Sequence, residues 1–133
     1  MDVWVATSSV SESGSAEAHL VPLSLAWIDE RVVIAVESDS LTARNITEYR
    51  AARLALGPTR DVVMIDTVLD QIINLDDVPV TLAERYADQA DWDPRTAGGR
   101  FVFLVLRPDR IQAWREANEI RGRTLMRAGS WVV

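Results

Sequence analysis

The sequence predicts a mainly β fold: an antiparallel barrel of six to seven strands with two short helices. Three observations carry that expectation. Apolar residues alternate with period two in short runs separated by turn residues, the pattern of half-buried strands. Two segments, DSLTARNITEYRA and Pro79–Ala90, break that alternation with helical start signals and helical spacing. Neither internal repeats nor a linker divides the chain, so residues 1–133 read as one domain.

Val3–Thr7 sets Val3, Val5 and Thr7 against Trp4 and Ala6 as the first strand. Ser8–Ala18, rich in Ser, Gly and Glu, reads as a mobile hairpin loop. His19–Ile28 is a second strand with His19, Val21, Leu23, Leu25 and Trp27 on one face. Pro22 within it predicts an edge, a bulge, or a stretch whose backbone faces a ligand instead of a strand. Asp29-Glu30 turns the chain into a third strand, Arg31–Val36. The first helix follows, capped by Ser40 or Thr42, whose hydroxyl accepts from an unpaired N–H of the first turn. Arg53–Leu56 is a short fourth strand ended by Gly57-Pro58. Val62–Leu75 is apolar on both faces and predicts a bent or bulged fifth strand.

Pro79 suits the first position of the second helix, and Leu82, Tyr86 and Ala90 recur on one face of it. Asp91–Gly99 is a polar loop containing Trp92, and Asp76-Asp77 reads as a turn. Arg100–Arg107 is a sixth strand, buried on both faces by its composition. A turn at Pro108-Asp109 starts a further strand at Arg110–Trp114, and Thr124–Val133 ends as a hairpin segment.

Composition excludes several functions. The formal charge of −6 argues against general affinity for nucleic acid, which depends on many phosphate contacts. All 14 basic residues are arginine, so no lysine forms a Schiff base with a carbonyl or with pyridoxal phosphate. Without cysteine there is no disulfide, thiolate metal site or cysteine nucleophile. The single histidine, His19, does not make a typical metal site. No apolar run reaches the roughly 18 residues of a membrane helix. The opening MDVWVATSS lacks the basic patch and apolar core of a signal peptide, so a cytoplasmic location is expected. The five tryptophans exceed what a small core needs, and Trp4, Trp27, Trp114 and Trp131 are candidates for a subunit contact, a pocket wall or the core itself.

The start of the first helix is the candidate site. Free N–H groups, the positive end of the helix dipole, a capping hydroxyl, Arg44 and Asn45 together suit an anion, and phosphate is the usual one. Such a site between β-strands points to a barrel that holds a phosphorylated cofactor. Arg44 and Asn45 also fit an ordinary solvated helix face. Arg60 beside Asp61 reads first as an ion pair within a turn.

In order, HLVPLSLAW, RVVIAV, SLTARNI, RLALG, TRDVVMID and RPDRIQAWRE resemble the pyridoxamine 5′-phosphate oxidase-like split β-barrel flavoproteins, which include deazaflavin-dependent reductases. The resemblance covers nearly the whole chain and lies in the order of elements more than in any one motif. It implies a split β-barrel of FMN-binding type and a homodimer with FMN, or the deazaflavin coenzyme F-420, in clefts between subunits. It places Pro22, Leu23 and Ser24 along the flavin ring, and Ser38, Thr42, Arg44 and Asn45 at the phosphate and ribityl chain. It sets Thr59 and Arg60 near the cofactor, and Trp114 in a late strand that reaches the pocket across the dimer. The implied function is an oxidoreductase moving a hydride to or from a small molecule. No acid–base set is recognisable, as flavin chemistry allows, because the cofactor carries the reaction. The competing expectation is a non-catalytic split barrel that binds a flavin for storage or sensing.

Overall fold

The computed structural model describes residues 1–133 as a closed six-strand barrel with two outer strands and two helices. The strands are β1 (Asp2–Val10), β2 (Ala16–Ile28), β3 (Arg31–Glu37), β4 (Ala51–Leu56), β5 (Val62–Asn74), β6 (Phe101–Trp114), β7 (Thr124–Arg127) and β8 (Ser130–Trp131). Helix α1 (Leu41–Tyr49) links β3 to β4, and α2 (Val80–Ala90) lies between β5 and β6. The order is β3-β2-β1-β4-β5-β6, and β3 pairs with β6 to close the barrel, while β7 and β8 continue outward from β6. No helix is long and apolar enough to cross a membrane.

The alternation of β3 and β6 explains how one strand serves two cores. Val32, Ile34, Val36, Leu104 and Leu106 point into the barrel with Val5, Leu54 and Ile65. Val33, Ala35, Phe103 and Val105 point outward and are covered by Ala83, Tyr86 and Ala90 of α2. Both faces of these strands are thus apolar, as the continuous runs RVVIAV and FVFLVL require. Helix α1 closes one end of the barrel by inserting Ala43 and Ile46 into the inner core.

Two expectations need correction. Ser8–Ala18 is not a long mobile loop: β1 and β2 stay in register out to Val10↔Ala16, leaving only a short turn with Gly14 at φ +84°. Period-two patterning fails there because both faces of the hairpin's end are wet. Likewise Pro108-Asp109 is no turn but lies inside β6, where Asp66 pairs Arg110 and Thr67 pairs Pro108, leaving Asp109 as a bulge. A bulge accommodates a proline that a regular ladder rejects. The expected irregularity of β5 is present at Asp70, skipped between the Leu69↔Leu106 and Gln71↔Val105 pairs.

The position of the split follows from strand lengths. Strand β2 pairs β1 from Ala16 to Ser24, but β3 only from Leu25 to Ile28. Between Ala16 and Ser24 its second edge therefore has no partner strand. Pro22 sits in that stretch, opposite Trp4 of β1, as an edge position allows.

Candidate functional site

Across the open edge of β2 lie the end of β3, the first turn of α1 and the start of β6. They enclose a groove of about 390 Å³, lined by His19, Val21, Leu23, Val36, Glu37, Ser40, Leu41, Thr42 and Phe101. The size suits a small organic ligand. Each lining residue has a local reason to be there. Period-two geometry brings His19, Val21 and Leu23 to one face of β2. Antiparallel register sets Glu37 opposite Phe101. The α1 cap resolves to Ser40, whose Oγ accepts from the Ala43 N–H at 3.1 Å, and its carbonyl accepts from the Arg44 N–H at 3.0 Å. The Leu41 and Thr42 N–H groups, at the positive end of α1, have no protein partner.

The expected site residues fall into separate groups. Leu23 and Thr42 meet in the groove. Pro22, Leu23 and Ser24 line an adjoining depression with Asp2 and Trp92. Ser38 lies in a more polar hollow with Asp76, Asp77, Gly99, Arg100 and Phe101. Arg44 stands exposed on α1 and makes no ion pair, outside the residues that line the groove. Asn45 points the other way: it is buried, and its Nδ2 donates to Thr7 Oγ1 at 3.1 Å, tying α1 to β1. Thr59 and Arg60 occupy the β4–β5 turn. Arg60 pairs with Glu116 at 3.0 Å, not with its neighbour Asp61.

Trp114 ends β6, far along the strand from Phe101, and the Arg123 guanidinium sits 4.9 Å from its ring centre. With the Gln112 amide oriented to suit its neighbours, its oxygen accepts from Arg110 at 2.9 Å and from Arg123 at 3.1 Å. Two guanidiniums thus converge on one neutral oxygen, and neither has a carboxylate partner.

Sequence reasoning missed Val21, Val36, Glu37, Leu41 and Phe101 as groove residues. The β2 alternation marked the face of Val21. Nothing local announces that Glu37 and Phe101, 64 positions apart, are register partners. An aromatic series stiffens this wall: Trp92 packs edge-on against Phe101 at 5.1 Å and against Tyr86 at 6.4 Å, and Tyr86 meets Phe103 at 5.3 Å. The Tyr86 hydroxyl donates to the Ser24 carbonyl at 3.1 Å, and burial pushes its pKa up to about 12.

The chemistry available is specific. The groove offers apolar walls for a planar ring and free N–H groups at a helix start, with one carboxylate and one imidazole. No arginine lines it, so the groove alone does not neutralise a dianionic phosphate.

No protein-family model matches the sequence, and no curated protein is similar to it. Solved structures do share its architecture. An F-420 reductase superimposes with a TM-score of 0.58 at 17% identity, over 84% of this chain and 88% of the other. A pyridoxamine 5′-phosphate oxidase-related, FMN-binding protein from Nostoc punctiforme gives 0.57 at 15% identity, over 84% and 72%. A heme-binding protein from Mycobacterium smegmatis gives 0.57 at 18% identity, over 87% of this chain and 49% of that one. The chain is a split β-barrel of the kind seen in FMN-binding proteins, and identities this low establish the shared fold alone.

Proposed function

We propose that the protein is a flavin-binding oxidoreductase, using FMN or the deazaflavin coenzyme to move a hydride to or from a small molecule. The observation that carries this reading is the groove in the split, between the open edge of β2 and the free N–H groups of α1. Val21, Leu23 and Phe101 would flank the ring and exclude water. The Leu41 and Thr42 N–H groups would bind oxygens of the cofactor's chain, and Arg44, exposed one turn along α1 from Leu41, would contact the phosphate. A bound flavin supplies the redox chemistry itself.

The reading includes a homodimer with the site between subunits. Trp4, Pro22 and Ala55 lie side by side on neighbouring strands, as do Ala6 and Leu20, forming an outward apolar patch. Trp4 is 51% exposed and Leu20 60%. The partner's Trp114 end, with its two convergent guanidiniums, would bring the positive charge that the groove lacks.

The absorption spectrum of the protein as purified, followed by turnover with a reduced nicotinamide or reduced deazaflavin and a panel of acceptors, tests this. Flavin absorbance with cycles of reduction and reoxidation supports catalysis. Bound flavin without turnover leaves a storage or sensing protein.

One observation favours a second reading, heme binding. His19, the single imidazole of the chain, faces the groove, and one imidazole suffices as a heme iron ligand. A Soret band after hemin addition, lost in His19→Ala, would favour it over the flavin.

A further inference from the structure

We propose that the groove selects a planar ligand bearing a cationic or donor-rich nitrogen group, an amidine or aminoheterocycle, and that Glu37 makes the selection. Glu37 is the one acidic side chain among the groove residues, and no arginine lines the groove. It forms no ion pair, in a chain with 14 arginines.

Its carboxylate lies beside Gly99, where there is no side chain to displace it. A Cβ built on Gly99 would lie 2.6 Å from Glu37 Oε1 and 2.7 Å from the Phe101 ring. Glycine at 99 therefore leaves room for the carboxylate beside the aromatic wall. Of the groove's two hydroxyls, Ser40 Oγ caps α1, and Thr42 keeps only 3% of its surface exposed.

The chemistry of the occupant follows. Val21, Leu23, Val36, Leu41 and Phe101 provide apolar surface for a ring, and about 390 Å³ accommodates one or two rings. An acceptor-only carboxylate rewards N–H donors, most strongly charged ones, while the free Leu41 and Thr42 N–H groups are left for an acceptor atom elsewhere on the same ligand. The adjoining hollow adds Asp76 and Asp77 against Arg100, so the surroundings carry the same sign.

This inference concerns the groove of the preceding reading and needs no flavin in it. It is tested on protein without added cofactor, so its failure is distinguishable from failure of flavin binding. Benzamidine, benzamide and benzoate have nearly one shape and carry positive, zero and negative charge. Their affinities, measured by ligand-observed NMR titration on the wild type and on Glu37→Gln, give the readout. Glu37 is exposed at the groove's rim, so the expected result is benzamidine bound about two- to fivefold above benzamide, the range of an exposed ion pair. In Glu37→Gln that preference disappears while benzamide affinity is unchanged. Equal affinities, a preference for benzoate, no binding of benzamidine, or a benzamidine preference that survives in Glu37→Gln would each overturn the proposal.

Discussion

Arg44 and Asn45 are neighbours in sequence and opposites in structure. A helix turns about 100° per residue, so one side chain reaches solvent while the other inserts beneath α1 to reach Thr7. Their removal should therefore separate binding from stability. Asn45→Ala leaves the Thr7 hydroxyl unpaired in the interior and should cost about 1–3 kcal/mol in a denaturant melt. Arg44→Ala should leave stability within about 0.5 kcal/mol, as exposed positions do. It should weaken FMN binding by about 1.5–3 kcal/mol, the range for a hydrogen bond to a charged group. Unchanged FMN affinity in Arg44→Ala would remove that residue from the phosphate contact. The cap was legible from Ser40 and its place before Leu41. The inward turn of Asn45 was not, because a polar residue with a buried partner reads locally like a solvated one.

At the scale of elements, α2 is fixed to the barrel by Tyr86. Its ring packs edge-on against Phe103, and its hydroxyl donates to the carbonyl of Ser24 on β2. The helical recurrence of Leu82, Tyr86 and Ala90 made this face readable in advance, although Ala83 occupies the buried position and Leu82 only flanks it. Burial holds the phenol protonated up to about pH 12, whereas an unfolded tyrosine ionises near pH 10. Above about pH 10 the unfolded state releases a proton that the folded state keeps, so stability falls as pH rises between the two values. Tyr86→Phe should flatten that alkaline decline while costing about 1 kcal/mol at neutral pH for the lost hydrogen bond. Urea midpoints at pH 8 and pH 11 check both; an equally steep decline in the variant would assign the titration to another group. Strands were legible where burial enforced alternation. The ends of β1 and β2 and the bulge at Asp109 were not, because hairpin tips and bulges depend on pairing partners that no local pattern shows.

Over the whole molecule, unequal strand lengths create the groove. Because β3 pairs only the last residues of β2, the barrel opens beside α1, and the groove takes its walls from segments distant in sequence. The site residues expected together lie apart in one protomer: Leu23 and Thr42 at the groove, Trp114 at the far end of β6. A second copy would reunite them. Trp4→Glu, placed in the apolar patch of β1, should convert the proposed dimer to a monomer in sedimentation and weaken flavin binding with it. A wild type that sediments as a monomer would deny the partner's share of the site. The most direct measurement is a titration of the purified protein with FMN and, separately, with the deazaflavin coenzyme, followed by flavin fluorescence. Saturable submicromolar binding of one of them, at one per protomer, is the predicted result; submicromolar binding of neither would contradict it.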